Sequence, residues 1–245
     1  TVGYGREPLY DYVLAGALAL AGRSILTLRL VAVLAGLGTL LLTFAWTRSA
    51  FGGPTALLAT AMQAVSFWSL ATSRQVLRSS LLPVLFTGAV VCYWRWVALG
   101  LADRQREARG RRAYVWLGLL ALLVGASLYT YIPARVTWVV FPLFAVYLLI
   151  FHRKVEARTW LPGVLAVVAG LLLSAPLFLY LRSHPGAEQR LAMLDEPLRA
   201  LRAGDISIVL GRLWSGLAGL VLPGRGDEFL AYNIPGRPLL DPLTG

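Results

Sequence analysis

The sequence predicts an all-α protein, a polytopic bundle of transmembrane helices with interfacial helices on its outer face. Three observations predict it. Of 245 residues, 58% are hydrophobic and only 14% are charged, with a mean hydropathy of +0.67, whereas soluble domains hold about 45–50% apolar residues. Several apolar runs reach the roughly 20 residues that cross a hydrocarbon core about 30 Å thick. The basic residues gather in short loops between those runs, as cytoplasmic loops of membrane proteins do.

Residues 1–24 form the first expected region, an outer loop. Within it PLYDYVLAGALALAG is too short to cross and carries Asp11, so an interfacial helix is expected there. Six spans follow within residues 25–181: Ile25–Trp46, Pro54–Thr72, Leu81–Leu101, Ala113–Tyr131, Val136–Phe151 and Trp160–Leu181. After Arg182 the character changes. Residues 182–245 form a second outer loop with amphipathic pieces at Gln189–Arg202 and Ile206–Leu222, followed by PGRGDEFLAYNIPGRPLLDP. The chain opens without a methionine and stops just after that Pro- and Gly-rich loop, and the expectation is an internal piece of a longer protein.

Orientation follows from two loops. LADRQREARGRR holds Arg104, Arg106, Arg109, Arg111 and Arg112, and FHRKVEARTW holds Arg153, Lys154 and Arg158. Six spans bring both to the side of TRSAFGGP, which the positive-inside rule makes cytoplasmic. The opening stretch, SRQVLRSS, YIPARV and the tail then face outward. Lys154 is the sole lysine, and this preference for arginine fits a GC-rich genome and a bacterial plasma membrane.

The net charge of +11 is thus accounted for loop by loop and does not point to nucleic acid. Cys92 is the only cysteine, which excludes an intrachain disulfide. His152 and His184 stand alone, without the spacing of a histidine metal site. No P-loop, GxGxxG, HExxH or GxSxG occurs.

Arg74 and Arg78 lie on the outward side, where they cannot serve as topology anchors. With Arg135 and Arg6 they come from three separate outer loops. Guanidinium forks suit phosphate oxygens and stay charged when partly dehydrated, so the set is expected to bind a lipid-borne phosphate. The alternative for each member is an arginine snorkelling to headgroups. Gln63, Ser66, Ser69 and Ser73 recur at spacings of three, three and four, one polar stripe that should face other helices or a cavity rather than lipid. Tyr129, Tyr131 and Trp138 flank Arg135, as ligand contacts or as an aromatic belt. Arg29 and Arg95 lie inside spans with a structural role expected, Arg29 snorkelling outward or pairing with Asp11 or Glu7. Asp227 and Glu228 sit between glycines and FLAY, and carboxylates beside phosphate-binding arginines could take a proton from an acceptor hydroxyl.

Taken in order, GREPLYDYVLAGALALAGRSILTLRLVAVLAGLGTLLLTFAW, FWSLATSRQVLRSSLLPVLF, SLYTYIPARVTWVVFPLF and GDEFLAYNIPGRPLLD resemble landmarks of GT-C type membrane glycosyltransferases. The group in question contains protein O-mannosyltransferases and the lipid A aminoarabinose transferase. The resemblance implies transfer of a sugar from a polyprenyl-phosphate donor to a protein, lipid or glycan acceptor on the outer face. It implies that Arg6 contacts the donor phosphate, with Glu7 standing where the family has the first of two prolines. Arg74, Tyr131 and Arg135 match further basic and aromatic positions of the family. The family's catalytic carboxylate belongs upstream of Thr1, leaving Glu7 or Asp11 as weak substitutes. The expected substrate-binding set is therefore Arg6, Arg74, Arg78, Tyr131, Arg135, Asp227 and Glu228. The chemistry leaves room for a divalent metal without requiring one. Two other classes compete: a multi-pass transporter or flippase, and an inactive scaffold subunit of a cell-envelope assembly.

Overall fold

The computed structural model describes residues 7–102, 111–151, 157–184, 195–225, 234–238 and 240. Among these the protein is an all-α helical bundle without strands. Four stretches, Ile25–Phe51, Arg78–Leu99, Ala134–Phe151 and Trp160–Ser183, are long and apolar enough to cross a membrane. Their apolar side chains, among them Leu34, Leu41, Leu143 and Leu172, are largely exposed. Such surface requires a lipid bilayer as its solvent, and the chain is an integral membrane protein.

The opening helix α1 (Leu9–Ala21) is short, as its sequence predicts, and leads into the long α2 (Ile25–Phe51). Ser24 starts α2, its hydroxyl accepting the Thr27 N–H at 3.0 Å and satisfying one of the donors that a helix start leaves free. Gly52 turns the chain into α3 (Gly53–Val65) with φ 94° and ψ 171°, a conformation essentially restricted to glycine.

The second expected span, Pro54–Thr72, is not one helix. It breaks at Ser66, where ψ is 129°, and resumes as α4 (Phe67–Arg74). The break falls on a serine, a residue of low preference for helix interiors, and further hydroxyls mark the end of α4. Thr72 Oγ1 donates to the Trp68 carbonyl at 2.8 Å and Ser73 Oγ to that of Leu70 at 3.0 Å, and residues that bond their own backbone favour helix ends over interiors. A 3₁₀ turn, Arg78–Ser80, then leads into α5 (Leu81–Ala102).

The second half contains α6 (Arg111–Leu128), the short α7 (Ala134–Thr137), α8 (Val140–Phe151), α9 (Ala157–Leu173) and α10 (Ala175–Ser183). The expected span Trp160–Leu181 is likewise interrupted, at Ser174. Pro176 supplies no N–H and its ring clashes with the carbonyl four residues back. The Ser174 hydroxyl donates to the Leu171 carbonyl at 2.6 Å instead. In the tail, α11 (Asp195–Arg202) and α12 (Ser207–Val221) are both helical, within the two amphipathic pieces read from the sequence.

The core joins α5, α6, α8 and α9. Cys92, Tyr93, Trp96, Leu120, Val124, Phe141 and Val167 are buried together, and the Tyr93 ring meets those of Phe141 and Phe144 at 5.3 and 6.0 Å. Gly170 lets α9 approach α6: a Cβ there would lie 2.6 Å from the Ala121 carbonyl oxygen and 2.8 Å from Val124 Cβ. Between helices in lipid, small residues are what permit such approach. This packed half is the scaffold against which the remaining helices stand.

Candidate functional site

The site lies at the end of the bundle where α4 finishes, α5 begins and the α6–α7 turn reverses the chain. There the backbone N–H of Leu9 donates to the Tyr129 carbonyl at 3.0 Å, pinning the start of α1 to that turn. The pin carries Glu7 inward, and its side chain is only 3% exposed.

Glu7 is held between two guanidiniums. Arg78, on the 3₁₀ turn, donates from Nη1 to Glu7 Oε2 at 2.8 Å. Arg135, on α7, approaches Glu7 Oε1 to 4.0 Å through Nη2. Each guanidinium also faces a ring at 5.4 Å, Arg78 that of Tyr131 and Arg135 that of Phe178 on α10. Glu7 Oε1 is buried and receives no hydrogen bond. The cluster therefore joins one carboxylate and two arginines from three separate stretches of chain, with aromatic faces on its far side. A buried carboxylate persists in apolar surroundings only when it is paired in this way.

Arg78 also lines a cavity of about 1130 Å³. Its walls come from α1, α2, the broken α3–α4 pair and the Gln75–Ser80 turn, with Tyr131 added from the α6–α7 turn. All four residues of the polar stripe, Gln63, Ser66, Ser69 and Ser73, line it. Gly36 on α2 makes the wall thin, because a Cβ there would sit 2.9 Å from Ser73 Cβ. Tyr10 and Asp11 complete the rim, and among the described residues Asp11 and Arg78 are its charged lining residues. Burial pushes the Tyr10 phenol above its ordinary range, opposed by the neighbouring Ser80 hydroxyl, while the charge of Asp11 adds to the rise.

The structure brings Arg78, Arg135, Tyr131 and Glu7 together and sets Asp11 on the same cavity. Arg74, also in the expected set, is placed apart from these residues. It is exposed at the end of α4 and does not line the cavity, because the break at Ser66 and the extended Gln75 beyond it turn Arg74 and Arg78 differently. Of the two alternatives for Arg29, pairing with Glu7 or Asp11 is not found among the described residues, and its exposed side chain leaves snorkelling as the other. Arg6, Asp227 and Glu228 lie outside the described residues. Among the described residues no three His, Cys, Asp or Glu side chains gather as metal ligands.

Some contributors carry no sequence signal. Phe178 lies within an apolar run, and nothing in its spacing marks it as the ring beneath Arg135. The tail contributes Arg237, whose guanidinium lies 4.1 Å over the Phe67 ring, one residue past the helix break. Backbone bonds hold that segment, from Gly224 N–H to the Gly236 carbonyl at 2.7 Å and from Leu240 N–H to the Leu220 carbonyl at 2.9 Å. No known protein family, curated protein or solved structure matches the chain.

Proposed function

We propose that the protein is a membrane glycosyltransferase that takes a sugar from a polyprenyl-phosphate donor and gives it to an acceptor at the outward face of a bacterial plasma membrane, the face carrying Glu7. The observation that carries this reading is the convergence of Arg78 and Arg135 on one buried carboxylate, beside a polar cavity open to an otherwise apolar bundle. Guanidiniums oriented in advance stabilise a departing phosphate without reorganising during the reaction. Arg78, which lines the cavity, contacts the donor phosphate; Arg135 supports it through Glu7. The hydroxyl and amide stripe of α3 and α4 offers hydrogen bonds to the sugar. Asp11, rather than Glu7, is the carboxylate free to take a proton from an acceptor hydroxyl, because Glu7 is engaged by Arg78. The acceptor is a protein, a lipid or a glycan.

The test uses the full-length protein in liposomes with radiolabelled polyprenyl-phosphate sugars. Transfer or acceptor-dependent hydrolysis is expected, falling by about 10²-fold or more in Arg78→Ala. Neither binding nor turnover of any polyprenyl-phosphate sugar overturns the proposal.

One observation favours a second reading. The helix interrupted at Ser66 borders the cavity, and interrupted helices form the substrate sites of many carriers. In that reading the cavity passes a lipid headgroup across the membrane, and the same liposomes would show movement of labelled lipid between leaflets with its sugar bond intact.

A further inference from the structure

Helix α4 is a wall of the cavity that cannot hold its own shape. It has eight residues and no side-chain cap at its start, whereas isolated helices shorter than about 12–15 residues are marginal in water. The hydroxyls of Thr72 and Ser73 bond carbonyls of its own backbone, which weakens a helix slightly. It continues into neither neighbour, since ψ is 129° at Ser66 and 144° at Gln75.

Its shape is therefore set by what it touches. At its C-terminal end Ser73 rests on α2, so close to Gly36 that a Cβ on the glycine would lie 2.9 Å from Ser73 Cβ. At its N-terminal end the tail takes over. The half-buried Arg237 guanidinium lies 4.1 Å over the Phe67 ring, and such a contact gains strength as water is removed from it. Between these two points Trp68, Ser69 and Thr72 line the cavity.

The tail presents that arginine on a compact turn. Gly224, just past α12, donates its N–H to the Gly236 carbonyl at 2.7 Å, and the Arg237 N–H donates to the Ile234 carbonyl at 2.9 Å. Both glycines have positive φ, 79° and 74°, which other residues rarely adopt. The Leu240 N–H returns to the Leu220 carbonyl on α12. These anchors lie within the tail, so the turn can lift from Phe67 with them intact.

We propose that segment 234–238 is a latch on the cavity. With Arg237 on Phe67, α4 stays folded as the cavity wall; with the latch lifted, α4 loosens and the cavity widens. Order and disorder of one segment are a recurrent form of switch, and this one acts whatever ligand the cavity takes.

The test follows amide exchange, read by peptide mass, in purified full-length protein in maltoside detergent. In wild type the α4 amides are expected to exchange faster than those of α6 and α9 yet slower than unstructured peptide, as in a unit that opens locally. Phe67→Leu removes the ring and Arg237→Gln the charge. Each is expected to speed α4 exchange about fivefold or more and to leave α6 and α9 unchanged. The double variant should be no faster than the singles, since all three remove one contact. Phe67→Tyr, which keeps an aromatic face, should exchange as wild type does. Unchanged α4 exchange in both single variants overturns the latch, as do additive effects in the double variant. If a variant loses protection throughout, wild type decides: α4 amides as slow as those of α6, or as fast as unstructured peptide, overturn the latch without any variant. No ligand enters the measurement, so its outcome is independent of the glycosyltransferase reading.

Discussion

The bundle has two halves of similar apolar composition and opposite construction. In the half formed by α5, α6, α8 and α9, glycines bring backbones into contact and large rings fill the rest. In the half formed by α1 to α4, helix α2 stands against a broken partner, and between them lies the cavity lined by Gln63, Ser66, Ser69 and Ser73. Dispersion between close-packed surfaces holds the first half, as it must where lipid removes the usual hydrophobic drive. The second is held at its end by a charge cluster and one backbone bond from Leu9 to Tyr129. Polar side chains that would have cemented helices together are turned to a cavity instead, which is how a polar cavity coexists with a packed membrane fold.

The strongest way to break this contrast is to remove the charge cluster. Arg78→Ala is expected to cost about 3 kcal/mol, the lower end for stranding one partner of a buried pair. Adding Glu7→Leu should restore part of it, as followed by thermal unfolding in detergent. Equal melting of wild type and the single variant would show that the cavity half does not depend on Arg78.

Overpacking the other half comes next. Gly170→Val should destabilise by about 2 kcal/mol, because its Cβ meets backbone oxygen that cannot step aside. Gly36→Ala, across the cavity wall, meets only the Cβ of Ser73 on a short helix and should cost about 1 kcal/mol or less. If the two substitutions lower the melting temperature equally, the halves are packed alike and the contrast fails.

The smallest effect concerns the tail. Asp205 Oδ1 accepts the Ser207 N–H at 2.8 Å at the start of α12. Hydrogen bonding from Ser207, its side chain first and then its backbone, holds the Asp205 carboxyl below its ordinary range. A carboxyl lowered in the folded state contributes fully above its unfolded value and loses that contribution as pH falls through the lowered one. Protection of the Ser207 amide, its exchange rate relative to an unstructured amide at the same pH, should therefore fall below the ordinary carboxylate range in wild type. In Asp205→Ala it should already be absent at neutral pH, and protection in wild type that stays constant through the acid range would rule this out.

Much of the architecture was legible because hydrocarbon imposes few choices: a run long and apolar enough to cross forms a helix. The interruptions were not legible from hydropathy, which averages across Ser66 and Ser174 while backbone-seeking hydroxyls and Pro176 act locally. The grouping of the polar stripe could be read from its spacing, and its four members do line one cavity although the helix they were read on is broken at Ser66. Arg78 and Arg135 were visible as charges at span ends. That Glu7 joins them and Arg74 does not depends on the Leu9–Tyr129 bond and on the turn after α4. Those are tertiary facts that no local pattern carries.

The break at Ser66 ends a helix partway through the membrane. Thirteen residues of α3 rise about 20 Å of a roughly 30 Å hydrocarbon slab. Beyond them the chain presents peptide groups that helical bonding leaves free, and these demand hydration. Lipid cannot meet that demand, and the polar cavity lined by Ser66 and Ser69 lies where it arises, so the break and the cavity are two sides of one feature.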